Sequence, residues 1–299
     1  MPLLLLLALA LCSGLAVAFL ARGYRRRAAA PLVIEAAHEA GLHATGPLAR
    51  RAARAARRGP EKATELALAL AGAAVLLGGT VLALLAALVR STDVLAGLDT
   101  GAAEWGDRHA TAWSQDAITS ITELGGTRVV VVVAVVVAAI EIARTRSRWV
   151  VPFLLAVMLG GTLLTEAIKQ LLDRARPELE ALAATLGPSF PSGHTSTAAA
   201  SWAAFALVAG RWWGPRAWPA LAGVAVGIAV AVAASRVLLD VHWLTDVLAG
   251  LALGWAWFAA CAIAFGGHLL RFGAAAQAAG RGAVEAVTSG SEGTGGEAR

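Results

Sequence analysis

Three short stretches hold the residues able to do chemistry: Lys169 with Arg176-Pro177, Pro191-Ser192-Gly193-His194, and Ser235-Arg236 followed by His242 and Asp246. They gather three cations, two histidines and a carboxylate within 78 residues of a chain otherwise rich in alanine, leucine, valine and glycine. Ionisable groups are costly in a bilayer, so a cluster of them in apolar sequence points to function. The chemistry this set suits is gripping a phosphate and handing it to a histidine.

Lys169 stands seven residues before Arg176. If the helix carrying it continues, the two cations lie about two turns apart, roughly 10 Å along the axis, and can approach one anion from adjacent sides. Alternatively Lys169 snorkels to the interface or pairs with Glu166 or Asp173. Pro177 is expected to end that helix directly after Arg176. Ser192 and Gly193 open a further helix, whose first N–H groups and dipole favour an anion. The Ser192 hydroxyl adds a donor, and His194 is placed to protonate a departing oxygen. Alone, those residues also fit an ordinary N-cap beside an interfacial histidine. His242 and Asp246, four apart, are expected on one helical face, with Asp246 holding one imidazole nitrogen and aiming the other. A neutral, oriented imidazole is a competent nucleophile towards phosphorus. Arg236 offers a two-pronged fork for phosphate oxygens. Asp246 also offsets the surrounding cations, which would otherwise depress the basicity of both histidines. Alone, the His–Asp pair also fits a structural bond between helices.

The elements that must position these residues are membrane helices. Of 299 residues, 58% are hydrophobic and 15% charged, a membrane-protein composition. Runs long enough to span a bilayer recur at about 2–21, 66–89, 128–143, 150–170, 195–210, 219–238 and 244–267. The fold class read from them is all-α, a polytopic transmembrane helical bundle. The valine run Val129 to Val137 would suit a strand in water, but in lipid only a helix satisfies its backbone. Of the 25 basic residues, 18 fall in the segments 22–62, 144–148, 211–216 and 271–299, which the positive-inside rule makes cytoplasmic. That places Lys169, His194 and His242 together at the outer face of a plasma membrane. Trp149, Trp212, Trp213 and Trp218 then form an inner aromatic belt. The net charge of +5 reflects topology, and no basic stripe with stacking aromatics points to nucleic acid.

The first span can be read as a signal peptide, with Ala16-Val17-Ala18 as a cleavage site. The arginines that follow it, rather than precede it, favour an uncleaved helix with its N-terminus outside. The chain divides into that helix (1–27), a basic cytoplasmic connector (28–63), a membrane domain (64–270) and a flexible cytoplasmic tail (271–299). In the connector Arg50, Arg51, Arg54, Arg57 and Arg58 share a helical face, read either as a solvated topology signal or as a surface against anionic lipid. Residues 97–126 read as an amphipathic surface helix ending in Gly125-Gly126, able to roof a site or to shield lipid. Cys12 and Cys261 both fall in spans and build neither a disulfide framework nor a metal site.

Taken together and in order, the three stretches resemble the signature of the type 2 phosphatidic acid phosphatase superfamily, which also includes the vanadium haloperoxidases. The resemblance covers about 169–246 and the surrounding helices. It implies a six-helix phosphatase core with the first span as one extra N-terminal transmembrane helix. It also implies roles: His242 as nucleophile forming a phosphohistidine, Asp246 orienting it, and His194 as acid and then base. Lys169, Arg176, Ser192, Gly193 and Arg236 would bind the phosphate oxygens. No metal or other cofactor is implied. The expected substrate is a lipid phosphate or lipid pyrophosphate drawn from the membrane: phosphatidic acid, phosphatidylglycerol phosphate, diacylglycerol pyrophosphate or a polyprenyl pyrophosphate. Only 13 residues separate Pro177 from Pro191, which leaves little room for a lid and favours a laterally open site. A haloperoxidase fits poorly, since those relatives are typically soluble and larger. A lipid transporter or headgroup-binding protein would not need the His194, His242 and Asp246 set.

Overall fold

Backbone groups inside a bilayer have no water to bond, so apolar runs of this length fold as helices. The computed structural model describes residues 2–28, 47–91, 93–109, 111–177, 187–214 and 216–266, and every regular element among them is helical. In chain order these are α1 (Pro2–Ala28), α2 (Pro47–Ser91), α3 (Ala96–His109) and α4 (Ala112–Thr122). After a 3-10 turn (Glu123–Gly125) come α5 (Thr127–Thr145) and α6 (Val150–Leu172), then α7 (Gly193–Trp213), α8 (Trp218–Leu238) and α9 (Leu244–Phe265). Helix α6 contains a π-helical turn at Ala156–Gly160.

Among the described residues, Leu68–Ser91 of α2, α6, α8 and α9 are long and apolar enough to cross a membrane. The bent pair Ser114–Gly125 with Thr127–Thr145 adds a fifth if it is one span. The expected span at 195–210 forms the 21-residue α7, where His194, Thr195, Ser196, Thr197 and Ser201 dilute the apolar content. The side chains of α1 are described over Leu3–Phe19, which is an apolar helix. The valine run is helical: Val130, Ala134, Val137 and Glu141 point inwards at helical spacing, while Val131, Val132, Val135 and Val136 stay exposed. Residues 29–46 of the connector, the side chains of Arg50 to Arg58 and the tail from 267 lie outside the described residues.

Small residues set how closely the helices approach. A Cβ on Gly250 would stand 2.8 Å from the Ser192 carbonyl oxygen, and one on Gly254 2.5 Å from that of Ser196, so α9 meets α7 backbone to backbone. This contact puts the N-termini of α7 and α9 side by side. Gly14 and Gly223 dock α1 on α8 in the same way. Leu6 of α1 is fully buried against a cluster holding Ile118, Leu239 and Val241. The segment expected as one surface helix is two, α3 and α4, because Thr111 caps α4 through a reciprocal bond pair with Ser114. Its glycine turn packs into the bundle rather than against lipid: a Cβ on Gly125 would lie 2.5 Å from the His194 carbonyl oxygen. Trp202 donates its indole N–H to the Leu124 carbonyl at 2.9 Å.

Candidate active site

All three sequence stretches meet at one end of the bundle, where α7 and α9 begin and α6 and α8 end. Two local expectations need correction. Helix α6 stops at Leu172, where Asp173 adopts a left-handed conformation (φ 42°) and donates its N–H to the Lys169 carbonyl. Lys169 and Arg176 therefore do not share a helical face, and Pro177 is not the stop. The chain leaves the helix there and is held by Ser189, which donates its N–H to the Arg174 carbonyl at 2.8 Å and its hydroxyl to that of Ala175 at 3.0 Å. Second, His242 precedes α9, so it and Asp246 are not one helical turn apart on a shared face. Asp246 reaches back from the first turn of α9 to the loop before it.

His242 is 2% exposed, and its Nδ1 lies 3.4 Å from Asp246 Oδ2. Its Nε2 lies 3.3 Å from an Arg176 guanidinium nitrogen. A guanidinium only donates, so Nε2 carries the lone pair and Nδ1 carries the proton turned to Asp246. Burial, reinforced by Arg236 and Arg176 and opposed by Asp246, lowers the His242 pKa to about 4, so the ring is neutral at ordinary pH. Arg176 also donates to the carbonyls of Val241 at 2.6 Å, Gly187 at 3.0 Å and Pro188 at 3.3 Å, which clamps its position. Its pKa is lowered by burial and partly restored by Asp246.

Ser192 is the N-cap of α7, yet its side chain accepts from the Thr195 hydroxyl at 2.9 Å instead of capping the helix. The first-turn N–H groups of α7 are thus left to an anion. Lys169 Nζ is 3.4 Å from Glu166, the alternative pairing, but it also faces the start of α7. A Cβ on Gly193 would stand 3.9 Å from it. His194 is half-buried within electrostatic reach of Lys169, Arg176, Arg236 and His242. Arg236, 4% exposed, donates to the Thr122 hydroxyl at 3.2 Å, and its buried Nε has no partner among the described residues. Guanidinium groups of Arg176 and Arg236 act on the His242 imidazole, and the Lys169 ammonium and the start of α7 lie by His194, a set of donors able to hold a phosphoryl group.

Sequence reasoning missed Arg174 and Asp99. Arg174 donates to Asp246 Oδ1 at 2.6 Å and to Asp99 Oδ2 at 2.8 Å. Asp99, carried on α3, also accepts from the Thr245 N–H at 2.9 Å and the Thr245 hydroxyl at 2.7 Å. The only sequence signals were the position of Arg174 two before Arg176 and that of Asp99 in an acid-rich segment.

The model of the PAP2 superfamily matches residues 149–268. Phosphatidylglycerophosphatase B of Bacillus subtilis is 33% identical over 144 residues, 48% of this chain and 70% of that protein. Lipid A 1-phosphatase of Rhizobium johnstonii is 32% identical over 120 residues, 37% of this chain and 45% of that protein. Among solved structures, a transmembrane PAP2-type phosphatidylglycerolphosphate phosphatase from Bacillus subtilis is similar. The likeness has a TM-score of 0.60 and 27% identity, and covers 62% of this chain and 93% of that one. With its helical membrane architecture and these relatives, the chain belongs to the PAP2 superfamily and is a multi-span membrane phosphatase.

Proposed function

We propose that this protein removes phosphate from a lipid phosphate monoester or lipid pyrophosphate at the outer face of the plasma membrane, through a phosphohistidine on His242. The observation that carries the reading is the His242 ring itself, with Nδ1 turned to Asp246 and the Nε2 lone pair beside Arg176. In the first step Nε2 bonds to phosphorus and the bond to the leaving oxygen breaks, while His194 gives that oxygen a proton. In the second step His194 takes a proton from water, whose oxygen attacks phosphorus and releases inorganic phosphate, restoring neutral His242. Lys169, Arg176, Arg236, Ser192 and the α7 N-terminus at Gly193 stabilise the charge on the phosphoryl oxygens. The names of the relatives support a lipid substrate, a phosphatidylglycerol phosphate among them. The concentration of basic residues in segments away from the site supports the outer face.

The test is phosphate release by purified protein in detergent with EDTA present, beside His242→Ala. The panel is phosphatidic acid, phosphatidylglycerol phosphate, diacylglycerol pyrophosphate and undecaprenyl pyrophosphate. Release confined to wild type is expected, and the preferred lipid defines the substrate. Folded wild-type protein that releases phosphate from none of the four would sink the reading.

A further inference from the structure

Arg174, within the first stretch but not one of its marked residues, and Asp99, outside all three, are built into the base of the same site. Asp246 is fully buried and has two oxygens with separate duties. Oδ2 accepts from the Trp243 N–H at 3.0 Å and faces His242 Nδ1, whereas Oδ1 is held, among the described residues, by Arg174 at 2.6 Å. A guanidinium paired with Asp246 by itself would cancel the carboxylate charge that supports His242. Asp99, 2% exposed, supplies a second carboxylate on the far side of the same guanidinium. The three groups together then carry one negative charge, the charge Asp246 would have if Arg174 were not there. Asp99 is itself fixed by both Thr245 bonds, so α3 is tied to the first turn of α9. Arg174 is further fixed by the Thr245 hydroxyl at 2.7 Å and by the Trp243 ring, 5.6 Å below it.

We propose that Asp99 and Arg174 are positioning residues for the nucleophile: they hold Asp246 so that Oδ2 faces His242, and they set the charge behind that imidazole. The proposal rests on the reading of His242 as nucleophile. The charged or titratable groups facing His242 from the neighbouring elements are Asp246 on α9, Arg236 on α8, His194 on α7 and Arg176 in the segment after α6. Asp99 and Arg174 act on it only through Asp246.

The test uses the protein in detergent micelles containing phosphatidylglycerol phosphate, with kcat and KM measured from about pH 3 to 8. Asp99→Asn, Arg174→Gln, Asp246→Asn and the Asp99→Asn/Asp246→Asn double variant are compared with wild type. Asp99→Asn is expected to lower kcat about 10- to 100-fold with KM changed less than about 3-fold. It removes a negative charge, so its acid limb moves to lower pH. Arg174→Gln also lowers kcat, but it removes a positive charge, so its limb moves to higher pH. In the Asp246→Asn background Asp99→Asn is expected to cause no further loss, because its route to His242 is already cut. A merely structural role would give additive losses and unmoved acid limbs, and that result would overturn the proposal. Normal kcat in Asp99→Asn beside a dead His242→Ala would overturn it while leaving the proposed function standing. Full activity in His242→Ala would remove both. If Asp99→Asn does not fold, Arg174→Gln, which leaves Asp99 its Thr245 bonds, decides by the direction of its limb.

Discussion

Two fully buried carboxylates stand at opposite ends of the bundle and are treated differently. Glu141, on α5 at the far end, lies 2.9 Å from an Arg211 guanidinium nitrogen. It accepts from the Trp212 indole N–H at 2.6 Å and the Thr145 hydroxyl at 2.9 Å. One cation balances one carboxylate, and the cluster ties α5 to the last turn of α7. Asp246 is equally buried, but the group it serves, His242, turns its second nitrogen away from the carboxylate into a ring of cations. Beside it Arg236 keeps a buried Nε without a partner among the described residues. The far end is an ion-pair knot that holds helices together, although Arg211 Nη1 makes no hydrogen bond among the described residues. The site end sets Arg176 and Arg236 against a lone pair with a proton acceptor behind it, the arrangement that phosphoryl transfer uses.

The largest effects should separate the two ends cleanly. His242→Ala should lower phosphate release at least about 1,000-fold while leaving thermal unfolding within a few degrees of wild type. Glu141→Ala leaves the partly exposed Arg211 without its carboxylate and the Trp212 and Thr145 donors without their acceptor, and should lower stability by about 1–3 kcal/mol. The specific activity of its folded fraction should stay within about 2-fold of wild type. Unfolding monitored by tryptophan fluorescence, beside active-site titration, checks both. An activity loss in Glu141→Ala without unfolding would break the comparison.

A pH experiment sharpens it. The His242 imidazole titrates near 6.5 when unfolded and at about 4 in the fold, so between those values the unfolded chain binds the extra proton. Its contribution to stability is therefore full above about pH 6.5, falls as pH drops towards 4, and changes no further below that. Activity should follow the neutral ring and persist below pH 6, with its acid limb nearer 4 than 6.5. A limb at 6.5 would mean that His242 is not held neutral.

The smallest effect concerns Asp240, between α8 and α9. Burial first, then Asp107, raises its pKa to about 6 from 3.8. The folded chain then holds the proton between those values, so Asp240 lowers stability increasingly as pH rises from about 4 to 6. Its φ of 53° is one that asparagine tolerates. Asp240→Asn should therefore raise the unfolding temperature by a few degrees, about 1 kcal/mol, at pH 7.5 and give no gain at pH 4.

The helices were legible because lipid leaves long apolar runs no other fold, and even the valine run obeyed that constraint. The motif residues were legible because their types and order are distinctive. The helix stop at Asp173 was not, since a left-handed aspartate leaves a weaker mark than the proline that follows. The Asp99–Arg174 link was invisible for a different reason: partners 75 residues apart have no spacing rule, and only the approach of α3 to α9 joins them. The same limit hid the Arg236–Thr122 bond, which turns the segment expected as a possible roof into a wall of the site.

The central claim is that His242 carries the phosphoryl group, and rapid quenching with radiolabelled phosphatidylglycerol phosphate tests it most directly. His194→Gln, which should slow release of the bound phosphate, is run beside wild type and His242→Ala. The account predicts an alkali-stable, acid-labile label on His242 that builds within one turnover and is absent from His242→Ala. Full phosphate release with no protein-bound label, or a label carried by another residue, would contradict it.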